Sequence, residues 1–262
     1  MKKIIFLLPL LFCMCTKSDE SVAPPIEPKS TFAITATPSS ANVAVDENFT
    51  ITVAANETIK GLGASLDNFA TGGQMFTDFG TSRVLYFNTL GAKTIAIKAT
   101  SASGAVFIKN VNINVTRGNA LKITGMQITA FDNMNNTWDP EFGPTDPNRL
   151  ADVLFNFNTS QIYTYFETQM TKRRWYLSTV KQNQGDLTWD LTNANLYINP
   201  NREITFSLGD EDTPPVGQNL IPNLPDYRII SFANYLTTKP TTITYSFPDA
   251  NLSFIMTVEW AN

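Results

Sequence analysis

Histidine is absent from all 262 residues. That gap removes Ser-His-Asp and Cys-His nucleophilic systems, HExxH zinc hydrolases and histidine-led general-base chemistry together. Cysteine is nearly as scarce. The only two, Cys13 and Cys15, close the N-terminal segment, so the body of the chain has no structural disulfide and no zinc-knuckle spacing, and must be held together by burial. Charged residues make up only 16% of the chain, the formal net charge is −4, and no run of Lys and Arg could follow a phosphate backbone. These features argue against nucleic acid as a partner. After residue 14 no second long apolar run occurs, which leaves no candidate membrane-spanning helix. Carboxylates are therefore the only plentiful acid/base groups, and hard cations with oxygen ligands are the metals the composition can serve.

What is present begins with a processing signal. Lys2 and Lys3 form a basic start, and Ile4 to Met14 is an apolar run too short to span a bilayer. The segment resembles a bacterial lipoprotein leader, whose terminal cysteine is acylated. The small residue usual before that cysteine is replaced by Phe12 before Cys13 and by Met14 before Cys15. Cys15 is the expected lipidation site, because CTKSDE resembles the Lys/Ser-plus-acid tract that directs some Gram-negative lipoproteins to the cell surface. Residues 16–30, rich in Pro, Ser and charge, read as an extended tether.

The remainder, 43% hydrophobic over the whole chain, carries period-two alternation and no helical pattern. In residues 31–117 the alternating sets are Phe49, Ile51, Val53, then Ile95, Ile97, Ala99, then Val111, Ile113, Val115. Breaks at Pro38, Asn56, Gly61, Gly72-Gly73, Gly91 and Gly104 supply turns at about ten-residue spacing, the rhythm of an Ig-like sandwich. The stretch LGAKTIAIKATSASGAVFIKNVNINVT resembles the last two strands of PKD-type or other bacterial Ig-like domains. Their WDFGDG-like signature is reduced here to Thr77-Asp78-Phe79-Gly80. Arg117-Gly118-Asn119 marks a short, stiff boundary. Residues 118–262 then alternate again through Val153, Phe155, Phe157, through Ile204, Phe206, Leu208, and through a C-terminal hairpin from Ile243 to Trp260 that turns at Pro248-Asp249-Ala250-Asn251. The expected architecture is all-β: two tandem β-sandwiches, Ig-like and then an eight-stranded C2-like one, after the signal peptide and tether.

Two acidic loops stand out in the second sandwich. FDNMNNTWDPEFGPTDPNRLAD carries Asp132, Asp139, Glu141, Asp146 and Asp152, and SLGDEDTPPVG carries Asp210, Glu211 and Asp212. Their order between strands looks like a C2-type β-sandwich, a family that binds Ca²⁺ with aspartates of the loop before the second strand and of a later Asp-x-Asp loop. The resemblance implies Asp139 or Asp146 in the first role and Asp210 and Asp212 in the second. The further aspartate of that family, about six residues on, is replaced by Gln218 and Asn219, which implies weak coordination. Asp and Asn are also ordinary turn residues, so solvated turns are the competing reading. Tyr163, Tyr165, Trp175, Tyr176, Trp189 and Tyr197 fit either a sugar-stacking platform or a buried sandwich face, and alternation favours the face.

The expectation is a non-catalytic lipoprotein, anchored in the outer membrane through Cys15 and exposed at the surface, that binds a glycan or protein and holds calcium weakly. Two other classes compete with it. One is a carboxylate-dependent glycan hydrolase using Asp139 with Asp210 or Asp212. The other is a structural subunit of an outer-membrane assembly, whose mark is an unpaired edge strand or a large apolar patch.

Overall fold

The computed structural model describes residues 31–70, 72–75, 82–159, 173–212 and 217–261. The leader with Cys15, the tether, residues 77–80, Tyr163 and Tyr165 lie outside them. Residues Phe32–Asn262 form one compact unit, and within the described part all regular structure is strand or short 3-10 turn.

The first sandwich contains β1 (Ile34–Pro38), β2 (Asn42–Ala44), β3 (Phe49–Ala55), β4 (Ile59–Ser65), β5 (Gln74–Met75), β6 (Ser82–Leu85), β7 (Gly91–Ser101) and β8 (Val106–Thr116). One sheet has the order β1-β3-β6 and the other β2-β8-β7-β4-β5. This division matches the Ig pattern, in which the second and fifth strands share one sheet while the third, sixth and seventh share the other. The alternating sets face inward as their period requires: Ile51 and Val53, Ile95 and Ile97, Ile113 and Val115 are almost completely buried and form one core with Leu62 and Leu85. Gly61, expected at a turn, lies inside β4 at a register shift against β7. It is a bulge, and the chain continues through it without reversing.

The second sandwich contains β9 (Leu121–Ala130), β10 (Val153–Thr159), β11 (Arg173–Leu177), β12 (Thr188–Asp190), β13 (Leu196–Ile198), β14 (Glu203–Asp210), β15 (Gln218–Asn219), β16 (Arg228–Ser231), β17 (Thr242–Phe247) and β18 (Leu252–Glu259). The sheet β12-β9-β18-β17, with β13 also on β9, faces the sheet β11-β10-β14-β15, with β16 also on β14. The expected eight strands thus become ten. Two strand positions are each filled by a pair of short strands, β12 with β13 and β15 with β16, because the chain leaves and rejoins the edge of a longer neighbour. A phenylalanine cluster joins the sheets: Phe206 and Phe254 rings stand 4.5 Å apart, and Phe155 meets Trp189 edge-on at 5.1 Å. Fully burying each such ring is worth about 1.5–3 kcal/mol. The C-terminal hairpin pairs Phe247 with Leu252 across the turn, and Leu252, Phe254, Met256 and Val258 all point into the core.

Side chains tie the two cores together at the boundary. Arg117 bonds the Glu259 carboxylate, donates to the Glu259 carbonyl at 2.6 Å and to the Ala120 carbonyl at 3.1 Å, and lies over Tyr197. On the other side Asp46, 6% exposed, accepts from the Asn199 backbone N–H at 2.9 Å and pairs with Arg202 at 3.5 Å. Arg202 also reaches Asn48 and covers the Tyr86 ring. Burial pushes the Asp46 carboxyl up to about 6 against the opposing pull of Arg202. Gly118 takes φ +55°, and a Cβ there would sit 2.4 Å from the Ala44 Cβ, so the backbones pass too closely for any other residue.

Candidate cation site at a loop end of the second sandwich

Three loops build the site. The first, between β9 and β10, is held in shape by its own polar contacts. The backbone N–H groups of Trp138 and Asp139 both donate to the Arg149 carbonyl, at 2.8 and 3.2 Å, while Arg149 reaches back to the Asn135 carbonyl at 2.8 Å. Asn133 and Asn135 adopt positive φ, which asparagine tolerates better than most residues. These bonds set Asp139 at the inner side of the loop. Asp146 is placed differently. Its carboxylate accepts from the Asn148 N–H at 2.9 Å and caps the 3-10 turn Pro147–Arg149, so it is a local turn former and does not join the other predicted ligands.

The second loop leaves β14 at Asp210. That carboxyl is 2% exposed; its Oδ1 accepts from the Asp152 N–H at 2.5 Å, and its Oδ2 is buried with no hydrogen-bond partner. A Cβ at Gly217 would meet the Asp210 carbonyl at 2.7 Å, so glycine lets the returning strand pass close to this residue. Asp139, Asp210 and Asp212 each offer an oxygen, and these oxygens lie within 4.8 Å of one another. Gln218, which stands where the family resemblance expects another aspartate, donates to Asp212 Oδ2 and to the Trp138 carbonyl, both at 3.3 Å. An amide therefore stands beside Asp212.

The third loop, between β11 and β12, was not singled out by the sequence. Its 3-10 turn Gln182–Gln184 presents Asn183, whose N–H donates to Asp152 Oδ1 at 2.7 Å, and Gln184, whose Oε1 accepts from the Asn135 N–H at 3.0 Å. Asp152 therefore links two of the loops, and its own N–H orients Asp210. The signal available in the sequence was the polar run Lys181-Gln182-Asn183-Gln184-Gly185-Asp186 between apolar positions.

Together the loops enclose an open cleft of about 570 Å³. Asp139, Glu141, Asp152, Glu211 and Asp212 line it, with no Lys or Arg among the lining residues. The electrostatic consequence is direct. Burial is the main cause that raises Asp139 to about 6, helped by its hydrogen bond with Asp212 and the charge of Asp210. Asp210 is likewise raised to about 6 by burial, against the bond from Asp152 N–H and with the charges of Asp212 and Asp152 adding to the rise. The site resists holding its full negative charge unaided, and a hard cation or protons would relieve it.

The described aromatics weighed as a sugar platform, Trp175, Tyr176, Trp189 and Tyr197, are placed elsewhere. Trp189 is buried in the core, Trp175 and Tyr176 pack against it, and Tyr197 packs against the core of the first sandwich. Trp138 and Phe142, not considered in that role, line the cleft.

No known protein family and no curated protein matches the chain. Among solved structures, it is similar to fibronectin(III)-like modules of Clostridium thermocellum CbhA, at 8% identity and TM-score 0.28, over 71% of this chain and 90% of theirs. It is also similar to carbohydrate-binding modules from the β-sandwich superfamily, at 8% identity and TM-score 0.30, over 89% and 92%. A third match is to three N-terminal domains of the bacteriophage RB49 outer capsid protein Hoc, at 8% identity and TM-score 0.21, over 77% and 68%. At TM-scores this low, no property of these proteins is carried to this chain.

Proposed function

We propose that this chain is a non-catalytic binding protein of the cell surface, anchored through an acylated Cys15, whose second sandwich is C2-like and holds a calcium ion with Asp139, Asp210 and Asp212. The observation that carries the cation reading is Asp210: its residue is 2% exposed, one of its carboxylate oxygens is buried without a partner among the described residues, and its carboxyl group offers an oxygen within 4.8 Å of one each from Asp139 and Asp212. An orphaned buried acceptor is costly, and a cation with oxygen ligands removes the cost. The donor set is all oxygen, as calcium prefers, and Gln218 in place of a carboxylate fits the weak, millimolar class of extracellular sites. The loop before β10 and the Asp-x-Asp loop after β14 are the two loops that the C2 resemblance designates. Three carboxylate oxygens within 4.8 Å of one another are close enough for a single ion to meet all three.

Terbium, which takes calcium's oxygen ligands and emits when excited through a nearby indole, tests the site. Emission sensitised through Trp138 should appear with the full chain, fall as millimolar calcium is added, and be lost in Asp210→Asn. Emission that is absent, or unchanged in the variant, would show that the carboxylates are ordinary turn groups. The anchor is tested separately. Mass spectrometry of the mature N-terminal peptide should find acylated Cys15 and detergent-phase partitioning, whereas an unmodified N-terminus beyond Ser18 would overturn it.

A further inference from the structure

The cleft has features that the carboxylates alone do not explain. Trp138 and Phe142 form part of its wall, and Phe142 is 37% exposed. The amides of Asn148 and Asn183 line the same cleft. They are joined by one bond, from Asn183 Nδ2 to Asn148 Oδ1 at 3.2 Å. The Nδ2 of Asn148 and the Oδ1 of Asn183 have no side-chain partner among the described residues, so the bonded pair leaves one donor and one acceptor unused in the cleft. The exposed Phe142 ring, in one cleft with amides that both give and accept hydrogen bonds, matches a molecule with a CH face and a rim of hydroxyls. The cleft volume of about 570 Å³ falls within the roughly 300–1,000 Å³ usual for small-ligand sites.

From this arrangement we infer that the cleft binds a short neutral carbohydrate, with Phe142 and Trp138 against its apolar face and Asn148 and Asn183 on its hydroxyls. Charge selects within the carbohydrate class. With Asp139, Glu141, Asp152, Glu211 and Asp212 lining it and no basic residue, the cleft stays net negative with one divalent ion bound, so uronic and sialic acids are repelled. A cationic peptide would answer the charge. It would leave the paired amides and the aromatic wall unused, and calcium would compete with it for the same carboxylates. The inference rests on the cation reading, because without the ion the clustered carboxylates repel one another beside the ligand.

The experiment uses the full chain with millimolar calcium and follows Trp fluorescence and electrophoretic retardation. The probes are mannotetraose, maltotetraose and xylotetraose, with tetragalacturonate and tetralysine as charged comparisons. At least one neutral tetrasaccharide should bind. Affinity should fall by about tenfold or more in Asn148→Ala and in Phe142→Ala, the order expected when a buried polar or aromatic contact is lost, while both variants keep terbium emission. No neutral tetrasaccharide binding, with emission intact, would overturn this inference and leave the cation site standing. Loss of emission in wild type would remove the cation site and this inference together. Preferential tetralysine binding would replace the carbohydrate by a cationic peptide, and equal binding by wild type and both variants would place any sugar site elsewhere.

Discussion

Calcium at about one hundred times its dissociation constant is expected to stabilise the chain by roughly 2.7 kcal/mol, provided the unfolded chain does not bind it. For a protein of this size that corresponds to a rise in Tm of about 5–10 °C. The effect should depend on pH, with a sign fixed by the two perturbed carboxyls. Asp139 and Asp210 are both raised from about 3.8 to about 6, so in the calcium-free protein their contribution to stability is complete below pH 3.8 and is lost as pH rises through 6. Protons and calcium compete for these oxygens. The calcium-induced shift should therefore be full at pH 7.5 and largely gone at pH 5. Asp210→Asn with Asp212→Asn should abolish the shift without unfolding the protein, since an asparagine Oδ1 at 210 can still accept from the Asp152 N–H. The same variant should be more stable than calcium-free wild type at pH 7, because it removes a buried carboxylate that opposes its own ionisation. Scanning calorimetry with calcium and with chelator measures all of these. An undiminished shift in the double variant would contradict the assignment.

A comparable loss is expected at the boundary between the sandwiches. Gly118→Ala forces an L residue to φ +55° and drives its Cβ to within 2.4 Å of the Ala44 Cβ. The left-handed backbone costs about 1–2 kcal/mol and the overpacking about 1–3 kcal/mol, so denaturant unfolding should report a total of roughly 2–5 kcal/mol. The two causes separate in a double-variant cycle. Ala44→Gly in the Gly118→Ala background removes the methyl that is struck and should restore the steric part while leaving the conformational part. Failure of Ala44→Gly to rescue, or no loss in Gly118→Ala at all, would mean that the chains do not approach each other at this point.

Part of the fold and of the site is legible in the sequence and part is not, for physical reasons that differ by residue. The strands were legible because burial on one face writes itself as alternation: Phe49, Ile51, Val53 and Val153, Phe155, Phe157 need no partner to be recognised. The two acidic loops were legible as candidates from their composition, but that Asp139 meets Asp210 and Asp212 was not, because which ends of the strands share an edge depends on the sheet order. Asp146 was not separable from Asp139, because a capping aspartate and a ligand aspartate occupy the same kind of loop and differ only in which atom they face. Asp46 and Arg202, paired across the two sandwiches, carried no local signal at all. The contact joins positions far apart in the chain and depends on how the sandwiches meet at residues 117–120. The third loop escaped for a related reason. Asn183 and Gln184 look like turn residues, and their second role appears only when Asp152 and Asn135 are brought to them.

The central claim is that one cation is held by Asp139, Asp210 and Asp212. Anomalous diffraction from crystals of the full chain grown with terbium or calcium tests it most directly. The expected result is a single strong anomalous peak in contact with oxygens of all three aspartates, at the roughly 2.3–2.6 Å typical of calcium–oxygen bonds for the calcium crystals, with Asp210 Oδ2 among them. Density showing the three carboxylates without an ion at saturating calcium, with Asp210 Oδ2 bonded to a protein group or a water, would contradict it.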